Sequence, residues 1–107
     1  MIVGGDYRRV DEAIDNMAAT TDGGRTWNLV PGSNLGGFRS CLAYLPGTGG
    51  KALIATGPAG TDFSRDGGRH WEKYDTAGFH VLSFAPAKAV GWAAGAGGRL
   101  AKYTPLK

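Results

Sequence analysis

An all-β fold of short antiparallel strands in repeated units is the architecture this sequence predicts, and three observations predict it. Nineteen of the 107 residues are glycine and five are proline, and so dense a supply of turn residues cuts a chain into short strands. No long 3.6-residue apolar period runs through the central part; short apolar or alternating runs recur between the breaks instead. An eight-residue phrase also occurs twice: Thr20 to Trp27 reads TTDGGRTW and Ser64 to Trp71 reads SRDGGRHW, 44 residues apart. Two looser registers agree, GGFRSCLAYLP from Gly36 against AGFHVLSFAP from Ala77, and LIATGPAG against GWAAGAGG. A period near forty residues is the size of one four-stranded propeller blade.

The elements follow in order. In residues 1–35, Ile2 to Gly4, Ala18 to Thr20 and Thr26 to Val30 read as three strands of an incomplete blade that lacks its first strand. Gly4 to Asp22 spans nine residues more than Gly57 to Asp66. That insertion, within DYRRVDEAIDN, is polar and reads as a surface loop with one helical turn in VDEAID. Residues 36–76 form a complete unit. RSCLAYL is a buried strand, PGTGG a turn, KALIATG a second strand, TDFS a third with alternating faces, and RHWEKYD a fourth. In residues 77–107, Val81 to Ala85, Val90 to Ala94 and Arg99 to Tyr103 read as first, second and third strands. The fourth strand and a third copy of the phrase are missing.

The phrase has a physical reading. Gly23-Gly24 and Gly67-Gly68 supply the positive φ of a tight turn. Asp22 and Asp66 accept hydrogen bonds from the turn's amides, and Thr20 and Ser64 add a hydroxyl. Trp27 and Trp71 open the next strand and lay an indole over the turn. The pattern Ser/Thr-x-Asp-x-Gly-x-Thr-Trp resembles the Asp-box, or BNR repeat. Thr20, Asp22, Gly24, Thr26 and Trp27 fill every defined position. Ser64, Asp66, Gly68 and Trp71 fill all but one, where His70 replaces threonine. The text around the boxes looks most like bacterial propellers related to photosystem II stability and assembly factors, with sialidases and sortilin-type receptors more distant.

The resemblance implies a partial β-propeller of about two and a half four-stranded blades. It also implies that the boxes are structural and lie away from the ligand face. The missing first strand suggests the C-terminal part of a longer propeller; the rival is a short protein whose copies assemble into a ring, a homo-oligomer driven by uncovered blade faces and strand edges. The expected role is a non-catalytic protein-interaction or assembly scaffold. Family members are often exported, which gives a periplasmic or extracellular expectation for the full protein.

In such a propeller the loops joining blade to blade, and strand two to strand three, share one face. That places Arg8 and Arg9 in the insertion, and Arg39 and His80 after Phe38 and Phe79, on a common surface. The plain reading of that surface is a solvated rim. The sharper one is a basic recognition face for an acidic protein or peptide, since the planar guanidinium binds carboxylates in pairs of hydrogen bonds.

The alternative is a fragment of a sialidase-like glycoside hydrolase. Such an enzyme needs an arginine triad, a Tyr–Glu nucleophile pair and an acidic acid/base. Glu12 and Glu72 are the only glutamates, and Asp62 with Asp6 is the best carboxylate pair on offer. GTGGKA fails as a phosphate-binding loop, because Leu45 stands for its first glycine and Ala52 for its hydroxyl residue. Ser40 with His80 makes only a weak dyad, and Trp92 reads as a core aromatic. No cofactor or metal is called for, and a lone Cys41 excludes an intramolecular disulfide and the usual zinc spacings. A net charge of +3 without a basic run argues against nucleic acid. The short apolar runs argue against membrane insertion, and the start lacks the basic and apolar regions of a signal peptide.

Overall fold

A computed structural model describes residues 1–5, 8–9, 16–30, 35–86, 88 and 90–104. The fold is all-β. Among the described residues ten strands form three antiparallel sheets. The first sheet orders β1 (Ile2–Val3), β2 (Met17–Ala19) and β3 (Asn28–Leu29). The second runs β4 (Cys41–Tyr44), β5 (Leu53–Gly57), β6 (Gly60–Ser64) and β7 (Glu72–Asp75). The third runs β8 (Val81–Phe84), β9 (Gly91–Ala94) and β10 (Leu100–Tyr103). Every pairing joins consecutive strands, so each sheet is a meander. The insertion lies outside the described residues except for Arg8, Arg9 and Asn16, and so does the helical turn expected in VDEAID.

The sheets stack face to face. In the second sheet Ala43, Ile54 and Phe63 are cross-strand partners, as are Cys41, Thr56 and Thr61. Strand alternation puts these on one face and Leu42, Leu53, Ala55 and Asp62 on the other. The latter face meets the first sheet. Met17, Leu35, Leu53, Ala55 and Trp71 form the buried core there, with Met1, Val3, Val30 and Leu42 packed around them. The former face meets the third sheet across a cavity of about 230 Å³. β4 lies beside both β1 and β8, so the leading strands of the sheets are neighbours.

Side chains tie each connection to the sheet before it. Asn16, buried, donates through Nδ2 to the carbonyls of Leu35 (3.2 Å) and Gly37 (2.9 Å). Thr61 Oγ1 donates to the Ala77 carbonyl at 2.9 Å, and the Phe79 amide donates to Thr56 Oγ1 at 3.1 Å. Gly78 permits the closest approach: a Cβ there would strike the carbonyls of Gly57 and Pro58.

Candidate functional site

The two octapeptides build the same corner. Gly23 and Gly24 have φ of 75° and 93°; Gly67 and Gly68 have 76° and 92°. Asp22 Oδ1 accepts from the amides of Arg25 (3.0 Å) and Thr26 (2.9 Å), and Asp66 Oδ1 accepts from the His70 amide (2.9 Å). The hydroxyls of Thr20 and Ser64 bond their aspartates and accept from the amides of Gly24 (3.0 Å) and Gly68 (2.9 Å). Each indole N–H donates across the turn, Trp27 to the Gly24 carbonyl at 3.0 Å and Trp71 to that of Gly68 at 2.9 Å. The His70 departure keeps its contact: Nδ1 stands 2.7 Å from Asp66 Oδ2, where Thr26 Oγ1 donates to Asp22 Oδ2 at 2.6 Å.

These bonds set the electrostatics. The Thr26 hydroxyl and amide, then Thr20, hold the Asp22 carboxyl far below the ordinary carboxylate range. The His70 amide and then its ring bring Asp66 from 3.8 down to about 2. A carboxyl depressed on folding stabilises the fold above its unfolded pKa. That contribution is whole above about 3.8 and disappears as pH falls through about 2.

The topology separates these corners from the remaining candidates. The corners lie at one end of the sheets. At the other lie the chain after β1, the β5–β6 and β9–β10 turns, and the segments leading into β4 and β8. This connection end carries Arg8 and Arg9, both exposed, and the exposed His80.

Arg39 does not join them in presenting charge, which corrects the sequence expectation. It is 1% exposed. Its Nε and Nη2 reach Asp62 Oδ2 at 3.0 and 2.9 Å, and its Nη1 donates to the Phe38 carbonyl at 3.0 Å. Asp62, also buried, takes the Gly36 amide at 2.9 Å as well. The reason is register. Cys41 pairs with Thr56, and Val81 pairs with the matching Ala94. Counting back, Arg39 matches Phe79 and His80 matches Ser40. One residue of slip exchanges the two faces of a strand.

Ser40 and His80 make no dyad, because the Ser40 hydroxyl donates to the His80 carbonyl at 2.8 Å. Asp62 is committed to Arg39 and Gly36, and its suggested partner Asp6, like Glu12, lies outside the described residues. Trp92 is no core residue: it is 60% exposed on the outer face of the third sheet. Sequence reasoning also missed Arg99. Counted between the matching cross-strand pairs Thr56–Thr61 and Ala94–Leu100, the β9–β10 connection is one residue longer than the β5–β6 turn, and it carries a short 3-10 turn, Ala96–Gly98. It thereby sets an exposed arginine at the connection end. Arg99 donates to the Gly78 carbonyl at 2.8 Å and lies 5.8 Å from the Phe79 ring centre. The guanidinium of Arg39 serves the matching Phe38 carbonyl from a different place in the chain.

The cavity between the second and third sheets is walled by Ile54, Leu82, Phe84, Tyr74 and Tyr103. The Phe84 and Tyr103 rings meet edge to face with centres 5.4 Å apart. Burial, then Tyr74, pushes the Tyr103 phenol above its ordinary pKa. Such a cleft suits an apolar or aromatic group. Among the described residues no cluster of three or more His, Cys, Asp or Glu could hold a metal ion, and no helix is long and apolar enough to cross a membrane. Comparison with known families, curated proteins and solved structures gives no match.

Proposed function

We propose that the chain is a non-catalytic interaction scaffold, a section of an Asp-box β-propeller whose connection end receives an acidic protein or peptide. One observation carries the reading. The polar side chains with the best claim to chemistry are engaged in holding the fold: Asp22 and Asp66 in their own turns, Asp62 on Arg39 and Gly36, Ser40 on a backbone carbonyl. A hydrolase keeps its carboxylates facing a cleft. The propeller part of the proposal is supported by three meanders stacked face to face with neighbouring leading strands, and by two corners of one design. In the recognition surface Arg99 takes the place expected of Arg39, beside Arg8, Arg9 and His80.

The test is fluorescence anisotropy with a dye-labelled glutamate-rich peptide, and a lysine-rich peptide as control. Saturable binding of the acidic peptide alone is expected, about tenfold weaker in Arg8→Ala/Arg9→Ala, since one charge-assisted contact is worth about that factor. Equal binding of both peptides, or affinity untouched by the double substitution, contradicts the reading.

A further inference from the structure

Each corner holds a chemically fragile peptide step at its tightest point. Asp22–Gly23 and Asp66–Gly67 both stand in the run Asp-Gly-Gly-Arg. Aspartate before glycine is the pair at which a chain most readily cyclises, because glycine has no side chain to shield the attacking nitrogen. The glycine amide nitrogen bonds to the aspartate Cγ and gives up its proton, and a carboxyl oxygen leaves as water. The resulting succinimide takes up one water again. Opening at the side-chain carbonyl restores aspartate. Opening at the main-chain carbonyl routes the backbone through the former side chain and gives isoaspartate, with no change in mass.

That product does not fit the corner. Its free carboxylate stands one carbon closer to the chain, and the backbone between aspartate and glycine is one carbon longer. The carboxylate no longer matches the amides that Asp22 and Asp66 grip.

The folded corner opposes the first bond in two ways. One is orientation. Asp22 Oδ1 takes the Arg25 and Thr26 amides and the Thr20 hydroxyl, while Oδ2 takes the Thr26 hydroxyl. Asp66 Oδ1 takes the His70 amide and the Ser64 hydroxyl, and Oδ2 lies against the His70 ring. These bonds aim each carboxylate at backbone three and four residues ahead, and swinging Cγ onto the next amide breaks them. The other is the leaving group. An oxygen departs as water only from the protonated acid, and the same bonds keep both carboxyls ionised below the ordinary range. At the second corner the attacking group is also engaged, since the Gly67 amide donates to the Lys51 carbonyl at 2.9 Å.

We propose that each octapeptide shields its own Asp–Gly step from isoaspartate formation, so that the bonds that shape the corner also preserve it chemically. Reaction is confined to moments when a corner opens, and its rate follows the open population. The two steps serve as controls for each other, because the residues flanking the reacting bond are the same in both.

The test compares the folded 107-residue chain with end-blocked peptides TTDGGRTW and SRDGGRHW, incubated together at about pH 5, where ordinary carboxyls still carry some acid form. Isoaspartate is counted at each step by chromatographic separation of the equal-mass isomers. Both steps should react about tenfold or more slowly in the folded chain than in their peptides, and denaturing urea should bring the chain to the peptide rate. Thr26→Ala should speed the Asp22 step about fivefold, the worth of one hydrogen bond, and leave Asp66 unchanged. His70→Ala should do the reverse. Thr26→Ser keeps the hydroxyl and should behave as the native chain, which separates the bond from any general loss of folding. Equal rates in folded chain and peptide overturn the proposal. So does a Thr26→Ala chain, folded by its amide dispersion, that reacts at Asp22 no faster than Thr26→Ser or that speeds both steps alike.

Discussion

Replacing Trp71 with alanine should lower folding stability by about 3–5 kcal/mol, while Trp27→Ala should cost only about 1–2 kcal/mol. The two residues hold the same place in the same phrase and make the same bond across the turn. Their surroundings differ. Trp71 is 3% exposed and lies in the core with Met17, Leu53 and Ala55, its indole nitrogen 3.3 Å from the Met17 sulfur. Trp27 is 44% exposed, in the corner of the first sheet. Removing Trp71 therefore opens a cavity between two sheets, whereas removing Trp27 loses one hydrogen bond and part of an apolar contact. Small domains hold about 5–15 kcal/mol in total, so Trp71→Ala should sit near the edge of folding. Parallel urea titrations measure both. Equal losses would mean that the indoles act only within their own turns and that the first two sheets do not share a core.

The second large effect belongs to the Arg39–Asp62 pair. Asp62→Ala should cost about 3–5 kcal/mol, because it strands a buried guanidinium. Arg39→Ala should cost a similar amount by stranding the carboxylate. Asp62 should be the more sensitive of the two, since it also accepts the Gly36 amide. Replacing both partners at once, with Arg39→Met and Asp62→Leu, should recover most of the loss. About 1–3 kcal/mol should remain for the unbonded Gly36 amide. Thermal or urea unfolding of the four proteins decides the matter. A cost for Arg39→Ala within about 0.5 kcal/mol, usual for a surface site, would return Arg39 to the solvated rim where the sequence puts it.

Much of the fold was legible because the code that carries it is local. Glycine pairs after an aspartate, followed by an aromatic, specify a corner through backbone geometry and short-range hydrogen bonds. Asp22 and Asp66 each accept hydrogen bonds from amides of their own turn. Strand order was legible for the same reason, since short turns force consecutive strands to pair. Boundaries were less so. Arg69 to Trp71 belong to the corner, and β7 starts only at Glu72.

Long-range facts were not legible. The GF in GGFRS and AGFHV invites an alignment of Arg39 with His80, but strand pairing shifts it by one residue, and with period-two geometry that shift turns a presumed surface arginine inward. Nothing near Arg39 in sequence announces Asp62, which arrives from another strand. Trp92 looks like a core residue until the order of stacking leaves its sheet face uncovered. Arg99 could have been found by counting, since GAGGR is one residue longer than the turn it matches.

The account depends on each corner being held by an ionised carboxylate gripping its own backbone. The most direct test follows the side-chain carboxyl carbons of Asp22 and Asp66 by NMR as pH is lowered. Asp66 should titrate at about 2 and Asp22 lower still. Midpoints near the ordinary 3.8 for both would mean that the turn amides do not hold the carboxylates, and the structural reading of the repeated phrase would be wrong.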